Sequence, residues 1–361
     1  MFRRTTLLGL VLLFAALPLA RGSAQGDDKK KDKAAKDTMP HKLFRSQEPI
    51  TMTITLDLKK LTRMRDRQSA PLPASMVYDA GAQQGKDTML ISVATRGNFR
   101  LSSRNCDFPP IRVFFEKAEI KKTVFEGQKE LKLVTRCRDS KEYEQYILQE
   151  EVIYRVYNMF TPISLRTRRV YVTYTDTLKK EKDVKTWAFL VEDASAMAKR
   201  VGGRIFTAKQ AVFDDVDPHH MRIVAMLEYM VANTDWSVGA LHNVRLMRGN
   251  DSVTVFPLAY DFDFSGVINT RYATPDPQLP IRTVRDRLYR GPCMTTQELD
   301  VLGKEFLAKK DAIYALYDNV KELDPAIVKQ TKEFYDDFFK IIADPRRAKH
   351  EIIDNCQSVG N

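Results

Sequence analysis

The sequence predicts an α+β protein of two lobes, strand-rich in its first half and mainly helical in its second. Three observations lead there. Apolar residues alternate at period two over several short segments before residue 140. They switch to helical spacing over residues 141–160, and helical spacing returns beyond residue 218. The 361 residues are 43% hydrophobic and 29% charged, a balance that suits a real core and excludes a collagen-like or wholly disordered chain.

In chain order, residues 1–24 read as a signal peptide. Arg3, Arg4 and Arg21 flank an apolar run at 7–19 that is too short to span a bilayer, and Gly22-Ser23-Ala24 supplies small residues for cleavage. No later run reaches the roughly 18 apolar residues of a membrane helix, so the mature protein is expected to be exported and soluble, in the periplasm, the cell envelope or outside the cell. Residues 25–43 are expected to form a disordered charged linker, since 26–37 hold five lysines and four aspartates and no large apolar side chain. A strand-rich lobe at 44–192 and a helical lobe at 193–361 complete the division. The net charge of +11 weakens as evidence because three arginines leave with the signal. With no stacking motif, a nucleic-acid partner is excluded.

Ile50, Met52, Ile54 and Leu56 alternate as a half-buried strand requires, and residues 88–95, 111–115 and 129–134 are further strand candidates. Gly81 to Gly85 and Arg96-Gly97-Asn98 read as turns. A helix over 141–160 carries Tyr146, Ile147, Glu150, Tyr154 and Tyr157, and Pro162 stops it. Strands at 169–174 and 186–192 follow. In the second half, residues 219–232 form a helix, and Thr295-x-x-Glu298 is a capping box opening a helix toward Tyr317. Asp324-Pro325 starts a last helix with Phe334, Phe338 and Ile341 on its apolar stripe. No internal repeat is present. Strands with one helix, then a helical half, is the order of a two-lobed protein-kinase-like fold, an order that other α+β proteins share.

Export changes the meaning of Cys106, Cys137, Cys293 and Cys356. None forms a C-x-x-C pair, which argues against a zinc ribbon, and an even number in an oxidising compartment favours disulfides. Of three pairings, Cys106–Cys137 with Cys293–Cys356 keeps each pair inside one predicted lobe. Four reduced, buried cysteines are the alternative.

The densest chemistry lies at 232–266. An Asp/Asn-rich loop from Asn233 to Asn243 is followed by a strand at 253–257 and by Asp261-Phe-Asp263. If the strand continues, both aspartates share one face while Phe262 and Phe264 share the other. Two carboxylates on one face suit a hard divalent cation, with Asn243 adding a neutral oxygen. Asp235 could orient or deprotonate an attacking hydroxyl. Each part has a plain structural reading as well. A lone D-x-D also occurs in glycosyltransferases, calcium loops and ordinary turns; Asp235 alone is commonly a helix C-terminal or turn residue, Asn243 a turn residue, and His242 a hydrogen-bonded structural histidine. Asp217-Pro-His-His220 reads as a helix start rather than a metal site. Arg282, Arg285, Arg287 and Arg290 read as a solvated or ion-paired surface.

Taken in order, these segments resemble the CotH-type kinase-like proteins. The resemblance runs through Arg96-Gly97-Asn98, the Phe125-to-Val134 segment with Lys132, Glu150, the Trp187-to-Asp193 segment, and Asn233 to Gly266, about half the chain. It implies that Lys132 approaches the nucleotide phosphates and pairs with Glu150, and that Glu192 lies near the hinge. It also implies that Asp235 is the catalytic-loop aspartate and that Asn243 and Asp261 hold the metal, with Asp263 beside it or on a second metal. Asp235 and Asn243 are eight residues apart, where the ordinary kinase loop has five. No G-x-G-x-x-G precedes Lys132, and Lys129 competes with it for the phosphate role.

The expected function is therefore an exported, ATP-using phosphotransferase with Mg2+ or Mn2+ as its metal, acting as a monomer on a protein or glycan hydroxyl. The alternative is a kinase-like envelope protein that binds or assembles without chemistry. A glycosyltransferase is a weaker reading, because no nucleotide-sugar strand–helix repeat precedes Asp261.

Overall fold

Ile50, Met52, Ile54 and Leu56 form the buried face of strand β1 (Ile50–Leu56) in the computed structural model, which describes residues 39–80, 87–251 and 253–358. The predicted signal peptide, most of the charged linker and the Gly81–Gly85 turn lie outside the described residues. After a short helix α1 (Leu58–Arg63), strands β2 (Leu72–Asp79), β3 (Asp87–Thr95), β4 (Ile111–Phe115) and β5 (Glu130–Val134) form an antiparallel meander. Helix α2 (Lys141–Asn158) then leads to strands β6 (Thr167–Asp176) and β7 (Val184–Val191). The strand order β1-β2-β3-β4-β5-β7-β6 closes into a barrel, because β6 returns to lie parallel to β1 with Ile50 opposite Val170 and Leu56 opposite Asp176.

This closure overturns the predicted two-lobed kinase-like fold. The first half is a closed, mixed seven-stranded barrel rather than an open strand-rich lobe. The second half is not simply helical either. It carries an antiparallel sheet of β8 (Gly203–Phe206), β9 (Val244–Gly249) and β10 (Val255–Ala259) in the order β10-β9-β8. The physical reason is that a period-two pattern fixes which face of a strand is buried and says nothing about its neighbours. The closing pair lies about 120 residues apart in the chain, and β2, β8 and β9 were not read as strands at all.

The buried apolar side chains divide into two clusters. One fills the barrel with Ile54, Tyr78, Val93, Phe125, Leu133 and Val172. The other is built on α2 and continues through α4 (Pro218–Val231), after the short α3 (Ala194–Arg200), into α5 (Thr296–Leu307), α6 (Lys310–Asp318) and α7 (Pro325–Ala343). The caps follow the sequence. Asp217 accepts the His220 N–H with Pro218 at the first turn, and Thr295 and Glu298 close a reciprocal capping box. The helix predicted to reach Tyr317 is broken at Ala308–Lys309 into α5 and α6. His220 is structural: its Nε2 lies 2.9 Å from the Pro257 carbonyl oxygen.

Both expected disulfides form, Cys106–Cys137 and Cys293–Cys356, with Cα atoms 4.6 and 4.8 Å apart. Two disulfides fit an oxidising compartment. Among the described residues, no helix is long and apolar enough to cross a membrane.

Candidate functional site

The 232–266 stretch is locally strained. Outside glycine, a left-handed backbone is rare and costs about 1–2 kcal/mol for a residue with a Cβ. Ala232, Leu241, Asn243 and Asp261 all adopt it, with φ of 53°, 52°, 51° and 69°. Such strain persists only where the surroundings over-determine it, and it collects at functional sites. Here the surroundings are tight: the Gly266 N–H donates to the Ala232 carbonyl at 2.9 Å, and a Cβ at Gly266 would overlap the Val284 carbonyl.

Asp261 and Asp263 do not share a strand face as predicted, because β10 ends at Ala259. Instead the left-handed turn at Asp261 drives Phe262 fully into the core, against Tyr154 at 4.9 Å. The Asp261 N–H donates to the Tyr154 hydroxyl at 2.9 Å. Asp263 is buried and accepts the Tyr272 hydroxyl proton at 3.0 Å.

Asp235 is held on both carboxylate oxygens. His242 Nε2 lies 2.9 Å from Oδ1, and Asn243 Nδ2 donates to Oδ2 at 3.0 Å and to the Asp235 carbonyl at 2.7 Å. Both of those Asn243 bonds use Nδ2, which leaves its Oδ1 for another partner. The eight-residue spacing thus still lets Asn243 reach back to Asp235. Burial raises the Asp235 carboxyl above its usual range, with the Asp261 charge adding to it and His242 opposing. Asp235 and His242 open onto a cleft of about 550 Å3 walled by Phe264, Pro275 and Pro277.

Lys132 lies on β5 between Leu131 and Leu133, which fill the barrel, so its side chain points outward. Its Nζ sits 4.9 Å from the centre of the Tyr260 ring, and Arg245 lies on the same ring at 5.4 Å. Burial, Arg96 and Arg245 push the ammonium down to about 8, against the pull of Asp261. Lys129, its competitor, is exposed just before the strand.

The implied Lys132–Glu150 pair is not formed. Glu150 is buried, and the cations it faces are Arg100 and Arg96. Burial, together with Asp263 and Asp261, holds its carboxyl well above the usual range. Burial and the Asp261 charge push Asp263 up to about 7, against Arg100 and the Tyr272 hydrogen bond. Glu192 is not available as a hinge contact either: Arg200 binds both of its oxygens, at 3.1 and 2.9 Å, and the Arg166 N–H takes a second place on one of them.

The structure therefore gathers Lys132, Glu150, Asp235, Asp261 and Asp263 into one electrostatic field, and Glu192, paired with Arg200, lines the same small cavity as Lys132. Arg96 and Arg100 belong to the field; Arg96 was read as part of a turn and Arg100 was not singled out. The available signal was two arginines within four residues of each other around Gly97, which bends the chain with a φ of 82°. Of the four arginines read together as a solvated or ion-paired surface, Arg287 pairs with Asp337 at 3.1 Å and lies over Phe334.

The carboxylates Glu150, Asp261 and Asp263 face the cations Lys132, Arg96 and Arg100, yet no ion pair within 4.0 Å joins the two sets among the described residues. Charges of opposite sign elsewhere in the molecule close up, as Glu192 and Arg200 do at 2.9 Å. Nor do three His, Cys, Asp or Glu side chains converge on a metal-sized point among the described residues.

Behind Asp235, the wholly buried Glu228 accepts Asn233 Nδ2 at 2.9 Å, and Asn233 Oδ1 accepts the Asp235 N–H at 3.1 Å. Burial pushes Glu228 up to about 8; Asn233 opposes and the Asp235 charge adds. The proton that folding retains on Glu228 stabilises the native state fully below about pH 4.3, the unfolded value, and that contribution is lost as pH rises toward 8. Glu228→Gln, neutral throughout, is expected to unfold with a flatter pH dependence between 5 and 8, by up to about 1.4 kcal/mol per unit. Urea denaturation across that range checks it, and parallel curves would refute it.

No protein-family model matches the chain, and no curated protein matches it.

Proposed function

We propose that the protein is an exported phosphotransferase that uses ATP with Mg2+ or Mn2+ to modify a hydroxyl acceptor, as the likeness to CotH-type proteins implies. The observation that carries this reading is that the carboxyl groups around Asp261 and the cations Lys132, Arg96 and Arg100 form no ion pair with each other among the described residues. A metal–polyphosphate complex carries both signs as well, so it would satisfy both sets at once. Its phosphates would meet Lys132, Arg96 and Arg100. Its cation would be held by Asp261 and the free Oδ1 of Asn243. A protein donor set this small fits Mg2+, which commonly takes one or two carboxylates and completes its shell with water and phosphate oxygens. When bound, such a cation neutralises charge on the transferring group. Asp235, fixed by His242 and Asn243, is placed to orient an acceptor hydroxyl in the cleft it opens onto. Two disulfides and the basic, apolar N-terminus support export.

One observation favours a binding or assembly protein without chemistry. The cavity beside Lys132 is only about 70 Å3, with Tyr260 on its wall, whereas small-molecule sites are about 300–1,000 Å3. Tyr260 would have to swing aside to admit a nucleoside. The mature protein is expected to gain thermal stability with Mn–ATP and to release ADP. A folded protein that does neither refutes the phosphotransferase. An Asp235→Asn variant that works normally in cells would support the non-catalytic reading.

A further inference from the structure

We infer that the open cleft of about 930 Å3 beside Tyr272 is a carbohydrate-binding site. The cleft lies between the 104–107 segment, the N-terminal end of α2 and Arg271–Tyr272. Its volume is that of a ligand site. Its lining is unusual in composition: no aliphatic side chain contributes, only aromatic rings, hydrogen-bonding groups and charges.

That composition fits the surface of a sugar. A pyranose presents C–H bonds on its faces and hydroxyls around its rim, and each hydroxyl both donates and accepts. It therefore needs a flat ring to lie on and both kinds of hydrogen-bonding partner around it. Phe99 supplies the ring. It is 42% exposed, yet it is braced by Phe264 edge-on at 5.4 Å and by the tilted ring of Tyr272 at 5.8 Å. Arg104, Asn105, Asp107 and Ser140 supply donors and acceptors, and the exposed Arg104 and Asp107 make no ion pair among the described residues. The wall is also fixed in advance. Arg138 donates to the carbonyls of Asn105 and Arg104 at 3.0 and 2.9 Å, and the Cys106–Cys137 disulfide ties the same two segments together. Pre-ordered walls reduce the entropy lost on binding.

A peptide is a poorer fit. Peptide grooves use a free sheet edge or pockets for apolar side chains, and here the barrel is closed and the cleft has no aliphatic pocket. Nucleic acid fits poorly too, because Asp107, Asp139 and Glu142 share the cleft with its basic residues.

This inference does not rest on phosphotransfer; it concerns binding alone. The test is titration calorimetry of the mature protein with four probes: chitohexaose, cellohexaose, maltohexaose and tri-galacturonic acid. At least one is expected to bind saturably with a Kd below ~1 mM. Phe99→Ala and Arg104→Ala should each weaken that binding at least about tenfold, with unchanged thermal unfolding, while Val301→Ser, at an exposed position on α5, should not. Failure of all four probes to bind the folded protein, or binding indifferent to both cleft variants, would overturn the proposal.

Discussion

Asp261→Asn is expected to cut ADP release with Mn–ATP by about a hundredfold or more, the scale on which losing one preorganised electrostatic group slows an enzyme. Asparagine is the informative replacement because the residue has a φ of 69°, which Asn tolerates at lower cost than Ala. The variant keeps the shape of the turn and removes one charge. Its stability should change little, because Asp261 repels Glu150, Asp263 and Asp235 while it attracts Arg96, Arg100 and Lys132. Without it, Asp263 should titrate below its present value of about 7, which carboxylate NMR can follow. Loss of turnover with an intact unfolding profile is the result expected of a residue that serves the site rather than the fold. A variant that keeps wild-type turnover would remove Asp261 from the chemistry.

Sequence reasoning reached this site further than it reached the fold, and the reason is range. Asp235, Asn243, Asp261 and Asp263 lie within 29 consecutive residues, so their proximity is largely local and visible as a dense polar stretch. Disulfide pairing was legible for a similar reason, since each partner was sought within one region of the chain. Barrel closure was not, because alternation at 50–56 and 169–174 looks the same whether the strands are neighbours or strangers. Arg96 and Arg100 were not read as site residues because an isolated arginine near a turn has no periodicity, and its default reading is solvent. The Lys132–Glu150 pairing failed on direction. Lys132 leaves the barrel wall toward Tyr260, while Glu150 turns toward the two arginines and Asp263. Glu192, placed near the hinge by the resemblance alone, is paired with Arg200.

Glu151→Ala is expected to cost roughly 3–5 kcal/mol, the price of stranding a buried cation, whereas Glu150→Gln next to it should cost nothing at neutral pH. Consecutive residues on α2 point about 100° apart, and their surroundings differ completely. Glu151 is buried and fully engaged: Arg155 Nε at 2.6 Å and the Thr167 hydroxyl at 2.9 Å share Oε1, and Arg169 Nη2 donates to Oε2 at 3.0 Å. It ties α2 to β6 of the barrel. Arg169 also reaches Glu322 at 3.0 Å, so the loss should fall toward the lower end, and urea unfolding at pH 7 measures it. Glu150 has no hydrogen bond among the described residues, and burial with two neighbouring aspartates holds its carboxyl well above the usual range. Its retained proton therefore favours the folded state fully below about pH 4.3, and that contribution drains away as pH rises. The glutamine, neutral at every pH, should match the wild type at pH 4 and be the more stable protein at pH 8. Melting curves at the two pH values decide it, and a variant destabilised equally at both would mean that Glu150 belongs to the scaffold, as Glu151 does.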